Sequence, residues 1–345
     1  MSAAAGRPIA SGEKVGAAVI DVHAHIIVHE VTREAAPDEG WRPHVFWEEG
    51  RQIIEAGGRR VASAVREAVR IEGILEACVR AGVHGMVLCP WVNLLRYEAE
   101  ADDGLRACRA YNEALAGLAQ AYPDRVTALG MVPLQKPDLA AREIADIMRS
   151  SGLRGVEVGT SVRGTYLGDD RFRPFWAAAE ESGALVFIHP TTRGFDLPVL
   201  RDYYLSNAVG NPVETTIAAA QMIMAGVMEA HPRLQVLLAH GGGAILALRG
   251  RLRHAHNVQP EARARLREPF DQSLRRFYFD TITHDPDLLR NLIAFAGADH
   301  VMLGSDYPFD MGIERPADAV RSLGLPPHEE ALVLGGNAAR VLRLG

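Results

Sequence analysis

Short apolar runs rich in β-branched residues alternate with longer amphipathic stretches along most of the chain. Runs that are apolar on both faces predict the strands of a buried parallel sheet, and helical periodicity between them predicts crossover helices. The pattern predicts eight strands, at residues 18–22, 85–89, 126–132, 155–158, 185–188, 235–239, 277–280 and 301–304.

The stretches between these runs predict helices at residues 71–81, 103–121, 139–150, 172–182, 214–230 and 286–296. Parallel strands need a crossover connection, usually a helix, and eight such βα units close naturally into a barrel. We therefore expect an α/β fold in which a single (β/α)8 TIM-type barrel domain spans residues 1–345.

Three segments depart from this alternation. Residues 29–70 place aromatic residues, among them Trp41, between charged ones, which indicates an insertion after the first strand that covers the active end of the barrel. Residues 191–212 form a predicted loop after the fifth strand. The segment after Pro316 predicts C-terminal helices that pack outside the barrel.

Composition narrows the class of protein. A net charge of −6 argues against a nucleic-acid partner, and no apolar run approaches the roughly 18 residues of a membrane span. Residues 1–16 lack the apolar core of a secretory signal. Cys78, Cys89 and Cys108 have no metal-type spacing, so we expect free buried thiols and a cytoplasmic protein without a membrane partner.

Lysine is almost absent from the chain. Lys14 in the N-terminal tail and Lys136 in a predicted surface turn are the only two lysines. A Schiff-base mechanism needs a lysine inside the site, as does a pair of metal ions bridged by a modified lysine. The sequence therefore disfavours both mechanisms.

Metal-type side chains stand at the carboxyl ends of four predicted strands. The first strand ends with His23 and His25, the fifth with His189, the sixth with His240 and the eighth with Asp306. Residues two apart in an extended segment face the same way, so His23 and His25 can converge on one ion. A single histidine at a strand end is more often structural. Four such ends at the reactive end of one barrel indicate a divalent metal site.

Five short stretches, three of which contain metal-type side chains named above, carry a family resemblance. They are Ile20-Asp21-Val22-His23-Ala24-His25, Met131-Val132-Pro133-Leu134-Gln135, Asn211-Pro212-Val213-Glu214-Thr215, His240-Gly241-Gly242-Gly243 and Val301-Met302-Leu303-Gly304-Ser305-Asp306-Tyr307-Pro308-Phe309. In this order they resemble the amidohydrolase superfamily, in the branch that contains 2-amino-3-carboxymuconate-6-semialdehyde decarboxylase.

The resemblance implies a set of roles. It makes His23, His25, His189 and Asp306 the ligands of one Zn²⁺, with Mn²⁺ as the alternative ion, and it makes His240 the catalytic acid/base.

The resemblance also implies two substrate contacts. Arg251 would cross the interface of a homodimer to bind a substrate carboxylate, and Tyr203 would lie on the pocket wall. Arg59 and Arg60 are the nearest candidates for the family's other carboxylate-binding arginine, although the local pattern there departs from the family.

The resemblance therefore predicts a non-oxidative decarboxylase of a small unsaturated or aromatic carboxylic acid, with His240 and Asp306 as catalytic residues. The same barrel and ligands also suit a hydrolase of an amide, ester, lactone or carbon–carbon bond, or a hydratase, because function depends on the substrate pocket. A third interpretation is a non-catalytic metal-binding protein. His240 argues against it, because this histidine adds an acid/base residue beyond the four ligands.

Overall fold

The computed structural model describes residues 18–36, 39–49, 51–56, 59–63, 66–149, 152–191 and 197–344. The residues on which the secretory-signal prediction rests, together with Lys14, lie outside this part of the chain. Within it, eight parallel strands form one sheet in chain order. They are β1 (Ile20–Ile26), β2 (Gly85–Pro90), β3 (Val126–Gly130), β4 (Leu153–Gly159), β5 (Leu185–His189), β6 (Gln235–Leu238), β7 (Tyr278–Asp280) and β8 (Val301–Met302).

Backbone hydrogen bonds between β1 and the segment after β8 close the sheet into a barrel. The amide of Val22 donates to the carbonyl of Leu303 at 2.8 Å, and the amide of Asp306 donates to the carbonyl of His23 at 2.8 Å. The amide of His25 then donates to the carbonyl of Tyr307 at 2.7 Å. The predicted (β/α)8 barrel is thereby confirmed, and its closing junction runs past three predicted site residues.

Seven main helices connect or flank the strands. They are α1 (Ile71–Ala81), α2 (Ala101–Ala121), α3 (Pro137–Ile147), α4 (Arg173–Ser182), α5 (Asn211–Met224), α6 (Ile245–Val258) and α7 (Pro286–Ala296). The predicted helix at 214–230 is broken, because Gly226 has φ +72° and a separate turn of helix, Val227–Ala230, follows it.

Alternating strand residues divide the core into two layers. Outward-facing residues such as Val156 and Val158 pack against the helices, while inward-facing residues such as Val22 and Phe187 fill the barrel. Glu157 stands between two outward-facing valines, so period-two alternation turns its carboxyl group into the barrel. The carboxyl group is fully buried, and its two oxygens have no hydrogen-bond partner among the described residues.

The described parts of the segments outside the alternation contain short strands and helices. After β1, three antiparallel strands form a small sheet, at His44–Glu48, Arg51–Ala56 and Arg59–Ser63. Its role as a cover stays a prediction. The chain ends with helices Pro316–Arg321, Pro327–Ala331 and Asn337–Leu342.

The last helix packs differently from the expected outside position. Ala338, Val341 and Leu342 join the cluster of inward-facing strand residues, and the side chain of Asn337 donates to the carbonyl of Val301 where β8 begins. This helix therefore closes the amino-terminal end of the barrel, because those inward-facing residues need an apolar cover there. No helix in the described ranges is long and apolar enough to cross a membrane.

Candidate metal centre and active site

Four buried side chains converge where the strands end. His23, His25, His189 and Asp306 each place one ligand atom within 4.8 Å of the others. Nε2 of His23 lies 3.1 Å from Nε2 of His25, and Oδ1 of Asp306 lies 3.3 Å and 3.4 Å from these two nitrogens. Ligands of a tetrahedral ion at about 2.0–2.1 Å stand roughly 3.3 Å apart. The spacing therefore suits one divalent ion.

The backbone explains why these residues meet. His23 and His25 lie on β1, whose pairing with β2 changes register between Asp21 and Ala24. His189 is the last residue of β5. Asp306 follows β8 in the left-handed region, at φ +60°, which turns the chain toward the barrel axis.

Each histidine of the cluster is oriented through its second ring nitrogen. Nδ1 of His23 lies 2.7 Å from Oδ2 of Asp280, Nδ1 of His25 lies 3.0 Å from the carbonyl of Pro90, and Nδ1 of His189 lies 2.9 Å from the carbonyl of Pro190. A carbonyl oxygen only accepts, so the two Nδ1 atoms beside carbonyls carry the proton. Their Nε2 lone pairs then face the centre of the cluster, which is the arrangement of metal-binding histidines.

Two buried polar atoms test whether the cluster fits a metal. Nε2 of His189 and Oδ1 of Asp306 have no hydrogen-bond partner among the described residues, although buried polar atoms are usually satisfied. Burial lowers the pKa of His189 well below its ordinary value, and the neighbouring histidines add to this effect. A neutral imidazole and an ionised carboxylate are the forms that bind a divalent cation, so the residues fit.

His240 lies beside the cluster on a tight turn after β6. Its Nε2 is 3.5 Å from Oδ2 of Asp306, and its side chain is 16% exposed. The φ of His240 is +55°, and the three glycines that follow are also left-handed. The backbone amides of His240 and Gly241 donate to the carboxylate of Asp280 at 2.9 Å and 2.7 Å. Asp280 therefore fixes both the turn and the ring of His23.

A cavity of about 220 Å³ opens next to His240. Apolar walls come from Ile282, Leu288 and Met311, while Asn211 and His284 add polar groups. The cavity is thus a small mixed pocket with the candidate acid/base residue in its wall.

Two predicted substrate contacts lie away from this cavity in the single chain. Arg251 is exposed on α6. Tyr203 is 92% exposed, so its place on the pocket wall stays a prediction. Arg60 is exposed as well, and its guanidinium pairs with Glu48 within the inserted sheet. The side chain of Arg59 lies outside the described part of the structure.

The structure adds residues that sequence reasoning missed. Asp280 ends a predicted strand, and a carboxylate at a barrel strand end is the signal that could have found it. Asn211 stands in one of the motifs that carry the resemblance, although the motif alone implies no role for it.

The chain is similar to known proteins along most of its length. The amidohydrolase family model matches residues 20–344. A 2-amino-3-carboxymuconate-6-semialdehyde decarboxylase of Dictyostelium discoideum is 33% identical over 252 residues, which cover 72% of this chain and 69% of that protein.

Solved structures share the fold. 5-Carboxyvanillate decarboxylase of Sphingomonas paucimobilis superposes with a TM-score of 0.79 at 25% identity, and the match covers 95% of this chain and 100% of that one. A dihydroxybenzoic acid decarboxylase of a Polaromonas species, solved with manganese and the inhibitor 2-nitroresorcinol, gives a TM-score of 0.76 at 20% identity. That match covers 95% of this chain and 97% of the other.

Proposed function

Because the chain belongs to the amidohydrolase family, we propose that it is a metal-dependent, non-oxidative decarboxylase (a carboxy-lyase) of a small aromatic or unsaturated carboxylic acid. Membership confirms the resemblance that the sequence motifs indicate. The observation that carries the proposal is the position of His240, which lines a small cavity and lies 3.5 Å from Asp306 of the four-residue cluster. The relatives named above are decarboxylases, which supports this reaction over hydrolysis or hydration.

We propose His23, His25, His189 and Asp306 as the ligands of one Zn²⁺. Three imidazoles and one carboxylate suit zinc, and Mn²⁺ is the alternative because the Polaromonas enzyme binds it. When bound, the ion would polarise a substrate oxygen and stabilise negative charge that develops during the reaction.

We assign the proton transfer to His240. Decarboxylation breaks the bond between the ring carbon and the carboxyl carbon, CO2 leaves, and the electron pair on the ring carbon takes a proton. The ring of His240 lines the cavity and its Nε2 lies 3.5 Å from Asp306, so Asp306 orients the donor. Solvent then returns the proton to the imidazole.

We also propose a homodimer in which Arg251 reaches the partner's cavity. Leu248, Arg251 and Val258 occupy one exposed face of α6, spaced so that they lie on the same side of the helix. A carboxylate-binding arginine flanked by exposed apolar side chains is typical of an interface. Tyr203 would then be covered by the partner, which is how it could contribute to the pocket wall.

A cytoplasmic location completes the proposal. The three cysteines are buried free thiols, as expected from the sequence, and Cys89 lies inside the barrel. Such thiols suit a reducing compartment.

The test is CO2 release from the acids named for the relatives: 2-amino-3-carboxymuconate-6-semialdehyde, 5-carboxyvanillate and dihydroxybenzoates. Metal-quantified wild type should release CO2 from at least one acid. His240→Ala should lower the rate by roughly 100-fold or more while retaining metal.

His328→Ala is the matched control, because it makes the same change in an exposed histidine of the C-terminal region. Metal-dependent hydrolysis of an ester, amide or lactone, with no CO2 from any acid, would show that the proposal is wrong.

A further inference from the structure

A hydrogen bond at the cavity beside His240 joins two separate parts of its wall. The hydroxyl of Tyr204 donates to the carboxylate of Asp310, at 2.9 Å from Oδ1 and 3.1 Å from Oδ2. Asp310 directly precedes Met311, which lines the cavity, and Tyr204 leads into residues 207–208, which line it as well. The bond therefore links a part of the wall that follows β8 with a part that precedes α5.

The loop that carries Asp310 is closed by its own backbone. The amide of Ile313 donates to the carbonyl of Ser305 at 2.7 Å, and the amide of Gly312 donates to the carbonyl of Phe309 at 2.9 Å. A Cβ atom at Gly312 would lie 2.9 Å from each of these two carbonyl oxygens, so the backbone approaches itself closely. These contacts hold Asp310 in place, and its loop is the fixed side of the bond.

Tyr204 begins a segment that is held much less firmly. Every residue in 204–209, which we call the flap, is at least partly exposed, so no buried side chain anchors this range. The carbonyl of Tyr204 accepts the amides of Asn207 and Ala208 at 3.1 Å each, so the flap is a single turn of chain. Segments with few buried contacts open at low free energy. The flap is therefore the side that can move.

The backbone where the flap begins is strained. Tyr203 and Tyr204 are both left-handed, at φ +56° and +61°. Two consecutive non-glycine residues rarely adopt this conformation, because Cβ crowds the following carbonyl oxygen. Such strain persists only where surrounding contacts maintain it. Opening of the flap would relieve the strain at Tyr204, while the proposed dimer would cover Tyr203 and leave that residue as the pivot.

The chemistry of the bond suits a contact that forms and breaks. Partial burial and the carboxylate of Asp310 raise the pKa of Tyr204 to about 12, so the hydroxyl keeps its proton at neutral pH and remains a donor. A hydrogen bond to a carboxylate is stronger than one between neutral groups. Tyr204 is 50% exposed and Asp310 is exposed, so water can replace either partner. The bond thus favours the closed flap without making it permanent.

We propose that the hydrogen bond from Tyr204 to Asp310 is a latch that holds the flap against the loop of Met311. When the bond breaks, the flap moves away from that loop, the cavity widens, and His240 becomes accessible to molecules from solvent. The inference goes beyond the proposed function, because the latch controls access whichever reaction His240 serves.

The test is the rate at which diethyl pyrocarbonate modifies His240 in metal-loaded protein. This reagent acylates a neutral imidazole nitrogen and releases ethanol and CO2, and mass spectrometry of peptides gives the rate at each histidine. His328 is exposed and serves as the internal reference, whereas His256 is buried and reports general unfolding.

Tyr204→Phe and Asp310→Ala should each raise the rate at His240 relative to His328 about tenfold, which is the effect of losing roughly one hydrogen bond. The combined variant should show no further rise, because both substitutions remove the same bond. Asp310→Asn keeps an acceptor oxygen and should stay within about threefold of wild type. His256 should remain unmodified in every variant.

Tyr122→Phe and Asp124→Ala are the matched controls. Both residues lie in the turn before β3, at the other end of the barrel from the cavity, and neither substitution should change the rate at His240. Equal rates in wild type, Tyr204→Phe and Asp310→Ala would overturn the inference, as would wild-type His240 that reacts as fast as His328. A combined variant whose rise equals the product of the two single rises would also overturn it, since the two residues would then act separately. The same holds for a rise at His240 that is matched at His256.

Discussion

The carboxylate of Asp280 joins His23 to the turn that carries His240. Its Oδ2 lies 2.7 Å from Nδ1 of His23 and accepts the backbone amide of His240 at 2.9 Å. Its Oδ1 accepts the amides of Gly241 and Ile282 at 2.7 Å and 3.0 Å. One buried side chain therefore positions a proposed metal ligand and the proposed acid/base residue together.

Asp280→Asn should weaken the metal site. The asparagine NH2 group would face two N–H donors wherever it points, so either His23 or the turn loses its acceptor. We expect metal affinity to fall about 10–100-fold, the usual effect of losing such a partner. Competition with a chromophoric zinc chelator measures the change. Asp287→Asn is the control, since the Asp287 side chain is exposed and pairs with Arg290; equal affinities in the two variants would contradict the prediction.

Gly243→Ala should destabilise the protein. The added Cβ meets the carbonyl of Pro212 at 2.1 Å, and alanine is strained at φ +66°. Left-handed strain and overpacking together predict a loss of roughly 2–5 kcal/mol in the free energy of unfolding. Gly117→Ala lies inside α2 with open space around its Cβ, and it should stabilise by about 0.4–1 kcal/mol. Urea unfolding compares both variants, and a neutral Gly243→Ala would count against the close approach.

Glu157→Gln should change how stability depends on pH. Burial raises the pKa of Glu157 well above its ordinary value of 4.5. The charge of His23 lowers this pKa and the charge of Asp306 raises it, each by a smaller amount. Above pH 4.5 the unfolded chain releases this proton while the folded chain keeps it. Wild-type stability therefore falls as pH rises, by up to about 1.4 kcal/mol per pH unit from this group, until the folded pKa is reached.

The Gln variant lacks this proton, so its stability relative to wild type should increase from about pH 5 to pH 8. Urea unfolding at several pH values gives the difference. Glu76→Gln, at an exposed position on α1, should follow wild type. A constant difference between Glu157→Gln and wild type would mean that Glu157 is ionised in the folded protein.

Mixing two inactive variants tests the proposed dimer. His240→Ala and Arg251→Ala should each lose activity. If Arg251 acts in the partner's cavity, a mixed dimer has one intact site, and an equal mixture should recover about a quarter of wild-type activity. Recovery should require subunit exchange, which brief denaturation and refolding provides. No recovery, with mixed dimers present by native mass spectrometry, would place Arg251 in its own chain's site or outside both.

The barrel and the convergence of its candidate metal ligands were predictable because both depend on local signals. Apolar runs mark the strands, and the order of strands fixes where their ends meet, so the grouping of His23, His189 and Asp306 follows from the sequence alone. The four ligands implied by the resemblance do converge in the structure.

Other features depended on contacts that no local pattern encodes. Asp280, at the end of β7, accepts hydrogen bonds from the amides of the turn after β6, which belongs to a different βα unit. The position of Asn211 depends on how closely the backbone of α5 approaches Gly243. The three strands between His44 and Ser63 were not predicted, because charged residues interrupt their apolar pattern. Arg251 and Tyr203 lie at the surface of one chain, so the roles proposed for them would require a second chain.

The closing junction of the barrel has a consequence for the order of events during synthesis. Asp21 accepts the amide of Ser305, a residue 284 positions later in the chain, and the metal cluster joins the same two regions. A nascent chain that still lacks β8 has only three of the four ligands and an open sheet edge. A bound ion would act as a cross-link between the two ends of the domain, and such a link stabilises most when it closes a long loop. Metal binding should therefore follow release from the ribosome and stabilise the closed barrel.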